Sequence, residues 1–230
     1  MTPLMTTSPR IPVLRAGDRL TRDEFERRYE AMPELKKAEL LEGVVCMPSP
    51  VRYTQHGHPH ALLSGWLAVY AAATRGVAHG IDATLRLDFD NEVQPDLMLR
   101  VVGPTGRSRI DHHHYVDGAP ELVVEIAASS VSYDLHQKWN VYRRAGVQEY
   151  LVLRAEDAAV DWFRLQGGAY ERLVADASGV LRSHVFPGLW LDATALLSAD
   201  DTALHATLRA AIAMPEHALF LARLRGGVNG

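Results

Sequence analysis

Residues 121–153 read ELVVEIAASSVSYDLHQKWNVYRRAGVQEYLVL, and this stretch decides the fold. Leu122 to Ala127 is an apolar run interrupted only by Glu125, the pattern of a strand covered on both faces. Ser129, Ser130, Ser132 and Asp134 then offer helix-start chemistry, and the helix they open runs to Gly146. EYLVLRA (149–155) is a second strand. Strand, helix and strand in succession predict a mixed α/β domain.

Working outward, PDLMLRVV (95–102) is nearly continuously apolar after its carboxylate and reads as a central strand. ATLRLDF (83–89) alternates Leu85 and Leu87 with Arg86 and Asp88, which predicts another strand. HPHALLSGWLAVYAAATRG (58–76) suits a largely buried helix ending at Gly76, and the polar residues from Gly103 to Pro120 read as a connecting loop. In KAELLEGVVCMPSP (37–50), Glu42-Gly43 separates two apolar runs as in a tight hairpin; ELKKAELLE as a helix capped by Gly43 is the competing reading. Thr21 and Glu24 form a capping box for a first helix that continues until Pro33.

Downstream, AVDWFRL (159–165) and AYERLVA (169–175), joined by Gly167-Gly168, predict a hairpin. LRSHVFPGLWLDATALL (181–197) reads as a last strand or turn leading into helix. Leu204, Leu208 and Ile212 share a helical stripe that Pro215 breaks, and HALFLARLR (217–225) forms a short second helix. The expected organisation is a loose N-terminal arm (1–19), a main domain (20–200) and a C-terminal helical tail (201–230) packed on the domain or on a second subunit.

Apolar residues make up 47% and charged residues 23%, ordinary for a globular protein with a sizeable core. Cys46 is the single cysteine, which excludes an internal disulfide framework and a multi-cysteine zinc site, so a metal would sit on oxygen or histidine ligands. Twenty-four basic against 28 acidic residues give a net charge of -4, which counts mildly against general nucleic-acid affinity. Arg27-Arg28, Arg107 with Arg109, and Arg143-Arg144 are candidate basic patches or ordinary solvated faces. No stretch approaches ~18 consecutive apolar residues or a signal-peptide core, so a cytoplasmic protein without membrane contact is expected.

The chemistry-bearing residues are Asp96, Glu125 and Lys138. Carboxylates on neighbouring strands hold hard cations, and Mg²⁺ needs only one or two of them beside water and substrate oxygens, so Asp96 and Glu125 suffice as ligands, with the backbone carbonyl of Ile126 as a third. Lys138 is the only lysine after Lys37, and its helix directly follows the Glu125 strand. An ammonium there orients an attacking water and offsets transition-state charge. Asp134, four residues earlier, equally makes Lys138 half of a helical ion pair. Glu125 needs a partner because an unpaired buried carboxylate is costly; a metal or an arginine answers that need. His56, His58 and His60, or His112 to His114, lack the H-E-x-x-H arrangement of a zinc hydrolase, although His56 and His60 are four apart.

PDLMLR, ELVVEIAASSVSYDLHQKWNVYRRAGVQEYLVL, AELLEGVVCMPSP and a histidine-led helix together resemble the Uma-type restriction endonuclease family of the PD-(D/E)XK nuclease superfamily, over roughly residues 20 to 200. The resemblance implies a restriction-endonuclease-like core, a central mixed β-sheet flanked by helices, with an N-terminal helix and hairpin and C-terminal helices. It implies Asp96 and Glu125 as ligands of Mg²⁺ or Mn²⁺, and Glu39 and His60 at the rim. Two residues after Glu125 the superfamily carries lysine; here that residue is Ala127, and Lys138 on the following helix matches it.

The function expected is endonucleolytic hydrolysis of DNA through a Mg²⁺- or Mn²⁺-activated water, in a protein for which a homodimer is plausible because duplex cleavage takes two sites. The alternative is a non-catalytic nucleic-acid-binding or assembly protein that keeps a nuclease scaffold. A glycosidase is disfavoured by the 7% aromatic content.

Overall fold

The structure, a computed structural model, describes residues 11–47, 50–127 and 133–226, the side chains of residues 133–135 apart. Its elements are α1 (Arg22–Glu30), β1 (Glu39–Leu41), β2 (Val44–Cys46), α2 (His58–Ala73), β3 (Val77–Ile81), β4 (Leu85–Arg86), β5 (Glu92–Val93), β6 (Leu97–Val101), β7 (Arg109–Ile110), β8 (Val116–Asp117) and β9 (Leu122–Ala127). They continue with α3 (Trp139–Ala145), β10 (Glu149–Arg154), β11 (Ala159–Gln166), β12 (Ala169–Arg172), β13 (Val180–Arg182), β14 (Trp190–Asp192), α4 (Ala193–Leu197), α5 (Asp201–Ile212) and α6 (Pro215–Gly226). Wider π-helical turns, Tyr53–Gly57 and Tyr133–Lys138, lead into α2 and α3.

The main sheet runs β12-β11-β10-β9-β6-β3, with β9 and β10 parallel and its other neighbours antiparallel. This is the mixed sheet flanked by helices that the sequence implies. A second six-stranded sheet, β2-β1-β5-β4-β8-β7, carries the N-terminal hairpin, and β13 pairs with β14 alone. Strand alternation divides the main sheet into two packed faces. Leu97, Leu99, Leu122 and Val124 meet Trp66 and Tyr70 of α2 and Leu204 and Leu208 of α5 in one cluster. Met98, Val123, Ala127 and Val152 meet Val141 and Tyr142 of α3 and Leu85 and Val93 of the second sheet in the other. Asp96 and Glu125 fall in the alternation of this second face.

The hairpin reading holds over its helical rival. Glu42 (φ 51°) and Gly43 (φ 73°) both take positive φ, as a two-residue type I′ turn requires. The Glu42 amide is held by Asn91 Oδ1 at 2.8 Å, which helps a non-glycine residue keep that conformation.

Several local expectations are revised. Thr21 stands at the N-cap of α1, but its hydroxyl makes no capping bond, and Glu24 binds Arg27 and Arg28 instead, at 2.7 and 2.6 Å. In ATLRLDF only Leu85–Arg86 pairs, because the amides of Leu87 and Asp88 turn back onto the Asn91 carbonyl. The 103–120 loop contains β7 and β8, and β3 is an edge strand whose mixed burial hid it from periodicity. Residues 11–19 are tied down more than a loose arm would be: Leu14 is buried and the Gly17 amide bonds to Val45 O. Pro215 ends the α5 stripe by opening α6, where its missing N–H costs nothing. Among the described residues no helix is long and apolar enough to cross a membrane.

Glu149 fastens the β13–β14 hairpin to the main sheet. Its wholly buried carboxylate accepts from Ser183 Oγ (2.7 Å) and from the amides of His184 (2.7 Å) and Val185 (3.2 Å). Burial pushes its pKa up to about 7, against the opposing effect of those donors. The folded value lies above the ordinary 4.5, so this group's stabilisation is complete below pH 4.5 and is lost as pH rises through about 7. Glu149→Gln should fold and remove on the order of 3 kcal/mol of pH dependence across that window, read from urea midpoints. A wild-type slope in the variant would contradict this.

Candidate active site

The β6–β9 register pairs Leu97 with Val124 and Met98 with Val123; extended by one residue, it sets Asp96 across from Glu125. Alternation brings both carboxylates, and Ala127 with them, to the face that carries Met98 and Val123. Ala127 is fully buried and brings no charge. The ammonium comes from the end of the π-helical turn before α3. Lys138 Nζ lies 2.8 Å from Glu125 Oε1 and 3.0 Å from Glu39 Oε1, and all three residues are buried.

Two buried carboxylates on one ammonium need further donors. The Gln94 amide donates to Glu39 Oε1 at 2.8 Å, and the Tyr142 hydroxyl donates to Glu125 Oε1 at 2.7 Å. Burial, followed by the charge of Glu125, raises the Tyr142 hydroxyl well above its ordinary pKa, so it remains a donor. Glu39 enters from β1 of the second sheet, and the cluster therefore joins the two sheets to α3.

Asp96 occupies an adjoining cluster. Its Oδ2 accepts from the Ile126 amide at 2.7 Å, while His56 Nε2 lies 3.2 Å and Lys37 Nζ 3.8 Å from Oδ1. Burial raises the Asp96 pKa, but the His56 hydrogen bond and charge, Lys37 and the Ile126 amide outweigh it and leave the pKa below the ordinary carboxylate value. His60 Nε2 donates to the Asp96 carbonyl at 3.1 Å, and the rings of His56 and His60 stack with centroids 5.7 Å apart. The Ala127 carbonyl accepts from Ala155 on the β10 side. Alternation along β9 therefore turns the Ile126 carbonyl the other way, to the side from which its amide reaches Asp96.

One group of three or more potential ligands occurs among the described residues: His60, Asp82 and Asp96, whose donor atoms lie within 4.8 Å of one another. Donors around a single ion at about 2.1 Å are at most ~4.2 Å apart, so this group reaches a shared cation with a small closing movement. Glu125 is outside it. The expected acidic pair is thus divided, with Asp96 beside imidazoles and Asp82, and Glu125 beside Lys138 and Glu39.

Of the residues singled out in the sequence, Asp96 and His60 fall in one cluster and Glu125, Lys138 and Glu39 in the other; the side chain of Asp134 lies outside the described residues. Tyr142, Lys37 and Asp82 were not anticipated. Tyr142 had a signal, one helical turn beyond Lys138. Asp82 had none, because the Ile81–Leu97 pairing of β3 and β6 is what carries it to Asp96. The arginine patches are largely neutralised: Arg28 pairs with Glu24 and Asp18, Arg144 with Glu42 and Arg109 with Asp117.

A crystal structure described as that of a putative nuclease belonging to DUF820, from Anabaena variabilis ATCC 29413, superposes with a TM-score of 0.59 at 16% identity, over 78% of this chain and 98% of that one. It shows the shared fold. No curated protein matches the chain. The family model for Uma2, described as "Putative restriction endonuclease", matches residues 22–194, which takes in both carboxylate strands, Lys138 and Glu39. The chain belongs to the Uma2 family.

Proposed function

We propose that this chain is a divalent-metal-dependent endonuclease that hydrolyses DNA phosphodiester bonds. The observation that carries the reading is the Lys138 ammonium, 2.8 Å from Glu125 although it comes from a different element than the superfamily lysine. Asp96, with His60 and Asp82 beside it, and Glu125 with the Ile126 carbonyl would hold Mg²⁺ or Mn²⁺. The donor set suits such a hard cation, with the imidazole favouring Mn²⁺ of the two. A bound ion would supply charge neutralisation at the phosphate and an acidified water.

The chain's own groups do the rest. Lys138, flanked by two carboxylates, offers its ammonium to the attacking water and to the charge that develops on the phosphate oxygens. Tyr142 and Glu39 fix where Glu125 and Lys138 point, and His56 orients the Asp96 carboxylate. Use of His60 Nε2 by an ion would displace its bond to the Asp96 carbonyl, a modest rearrangement on metal uptake.

Incubation with supercoiled and single-stranded DNA, and RNA as control, tests the reading in Mg²⁺ or Mn²⁺. Cutting should disappear with EDTA and fall at least ~100-fold in Asp96→Asn and in Lys138→Arg, which keeps the charge but not its position. Cutting that survives both changes removes the assignment. A wild-type protein that cuts no substrate favours the scaffold alternative.

Stability gives a separate expectation. Lys138→Met leaves Glu39 and Glu125 facing each other without their cation and should cost about 3–5 kcal/mol in urea denaturation. Adding Glu39→Gln and Glu125→Gln should recover most of that loss. A loss below ~0.5 kcal/mol for Lys138→Met would show that the cluster is not a buried ionic one.

A further inference from the structure

Of the chain's three lysines, two stand at the candidate site. Lys138 is buried and held at 2.8 and 3.0 Å by Glu125 and Glu39. Lys37 differs in each respect. It lies two residues before β1, its side chain is 26% exposed, and its Nζ stands 3.7 Å from Asp82 Oδ1 and 3.8 Å from Asp96 Oδ1. Both separations exceed hydrogen-bond length, and Lys37 makes no hydrogen bond among the described residues. Its three N–H donors are left for solvent or a ligand.

A part-exposed lysine loosely paired with carboxylates is ordinary and contributes little to stability. Lys37, however, faces two carboxylates of the group formed by His60, Asp82 and Asp96, the one set of potential cation ligands among the described residues. Asp82 is placed there by a left-handed backbone (φ 48°) and by its amide, which donates to the Asp96 carbonyl at 3.1 Å. An ammonium and a divalent cation compete for these two carboxylates. Beside such a cation Lys37 would lose both pairings and meet like-charge repulsion at close range. Its flexible four-carbon stem lets the ammonium turn to another anion, and at a site that cleaves phosphodiesters the anion at hand is the substrate phosphate. Resting on the nuclease reading of the site, we infer that Lys37 is a substrate-binding residue: its ammonium rests on Asp82 and Asp96 in the metal-free chain and moves to a DNA phosphate when those carboxylates take a divalent cation. Lys138 is then kept for the attacking water, and Lys37 holds the phosphate.

Binding, with no cutting required, tests this. Affinity for a fluorescein-labelled DNA duplex is read by anisotropy across about 50–200 mM NaCl, once with Ca²⁺ in place of Mg²⁺ and once in EDTA. In Ca²⁺, Lys37→Met should weaken binding ~5- to 10-fold at about 0.1 M salt and reduce the steepness of log affinity against log salt by ~0.9, the share of one phosphate contact. Lys37→Arg should keep the wild-type salt dependence, because it keeps a phosphate-binding cation. In EDTA, Lys37→Met should bind DNA as wild type does. Titration calorimetry with Mn²⁺ and no DNA should show tighter metal binding in Lys37→Met, which lacks the competing ammonium. The pairs of Lys37 are loose, so both variants should keep the wild-type unfolding midpoint. An unchanged salt dependence in Ca²⁺, an equal loss in Ca²⁺ and EDTA, or Mn²⁺ affinity in Lys37→Met no higher than in wild type would each overturn the exchange. Metal-dependent cutting by wild type alongside such a result would leave the nuclease reading standing. A Lys37-dependent contact in Ca²⁺ with no cutting in Mg²⁺ or Mn²⁺ would instead support the role of Lys37 and remove the catalytic reading.

Discussion

The ammonium of Lys138, buried between Glu39 and Glu125, is the interaction on which the rest of the structure depends. It joins β1 of the second sheet, β9 at the centre of the main sheet and the helix that follows β9. Ionic clusters of this kind are an inefficient way to hold a fold, since desolvation offsets much of their attraction and well-packed apolar side chains often serve as well or better. Lying beside the buried Asp96 carboxylate on the same face of the main sheet, this cluster supports the chemical role proposed for it. The donors around it, the Gln94 amide and the Tyr142 hydroxyl, keep the cluster satisfied without a substrate.

The site follows from strand register. Antiparallel pairing of β6 with β9 sets Asp96 opposite Glu125, and pairing of β6 with β3 delivers Asp82 beside Asp96. Each contact is made at a strand end, where backbone amides and carbonyls freed from the ladder can reach side chains; the Ile126 amide on Asp96 is one such case. The second sheet closes the site with Glu39, and the π-helical turns before α2 and α3 supply His56 at the next-to-last residue of one and Lys138 at the last residue of the other. Such wide turns shift the facing of the residues around them relative to a regular helix, a device that recurs at functional sites.

Much of this was legible in the sequence, for reasons that differ by residue. Glu125 stood out because a charge inside LVVEIA demands a partner, and Lys138 because it is the lone lysine of its half of the chain. The hairpin at Glu42-Gly43 was readable from glycine's tolerance of positive φ. Proximity created by long-range pairing was not readable: Asp82 sits in a stretch with no motif, and β3 has too mixed a burial pattern to announce itself. The four-residue spacing of His56 and His60 was readable, but not that both reach Asp96, the residue before β6. The capping box did not form: Thr21 makes no capping bond, and Glu24 is engaged by Arg27 and Arg28.

The central claim is that the two adjoining clusters form one metal-using active site. The most direct measurement is an anomalous difference map from a crystal soaked in Mn²⁺. The account predicts a peak within coordinating distance of the Asp96 carboxylate, with ligands drawn from His60, Asp82, Glu125 and the Ile126 carbonyl and the Lys138 ammonium alongside. A fully soaked crystal with no peak at Asp96, or with manganese bound only elsewhere on the surface, would contradict it.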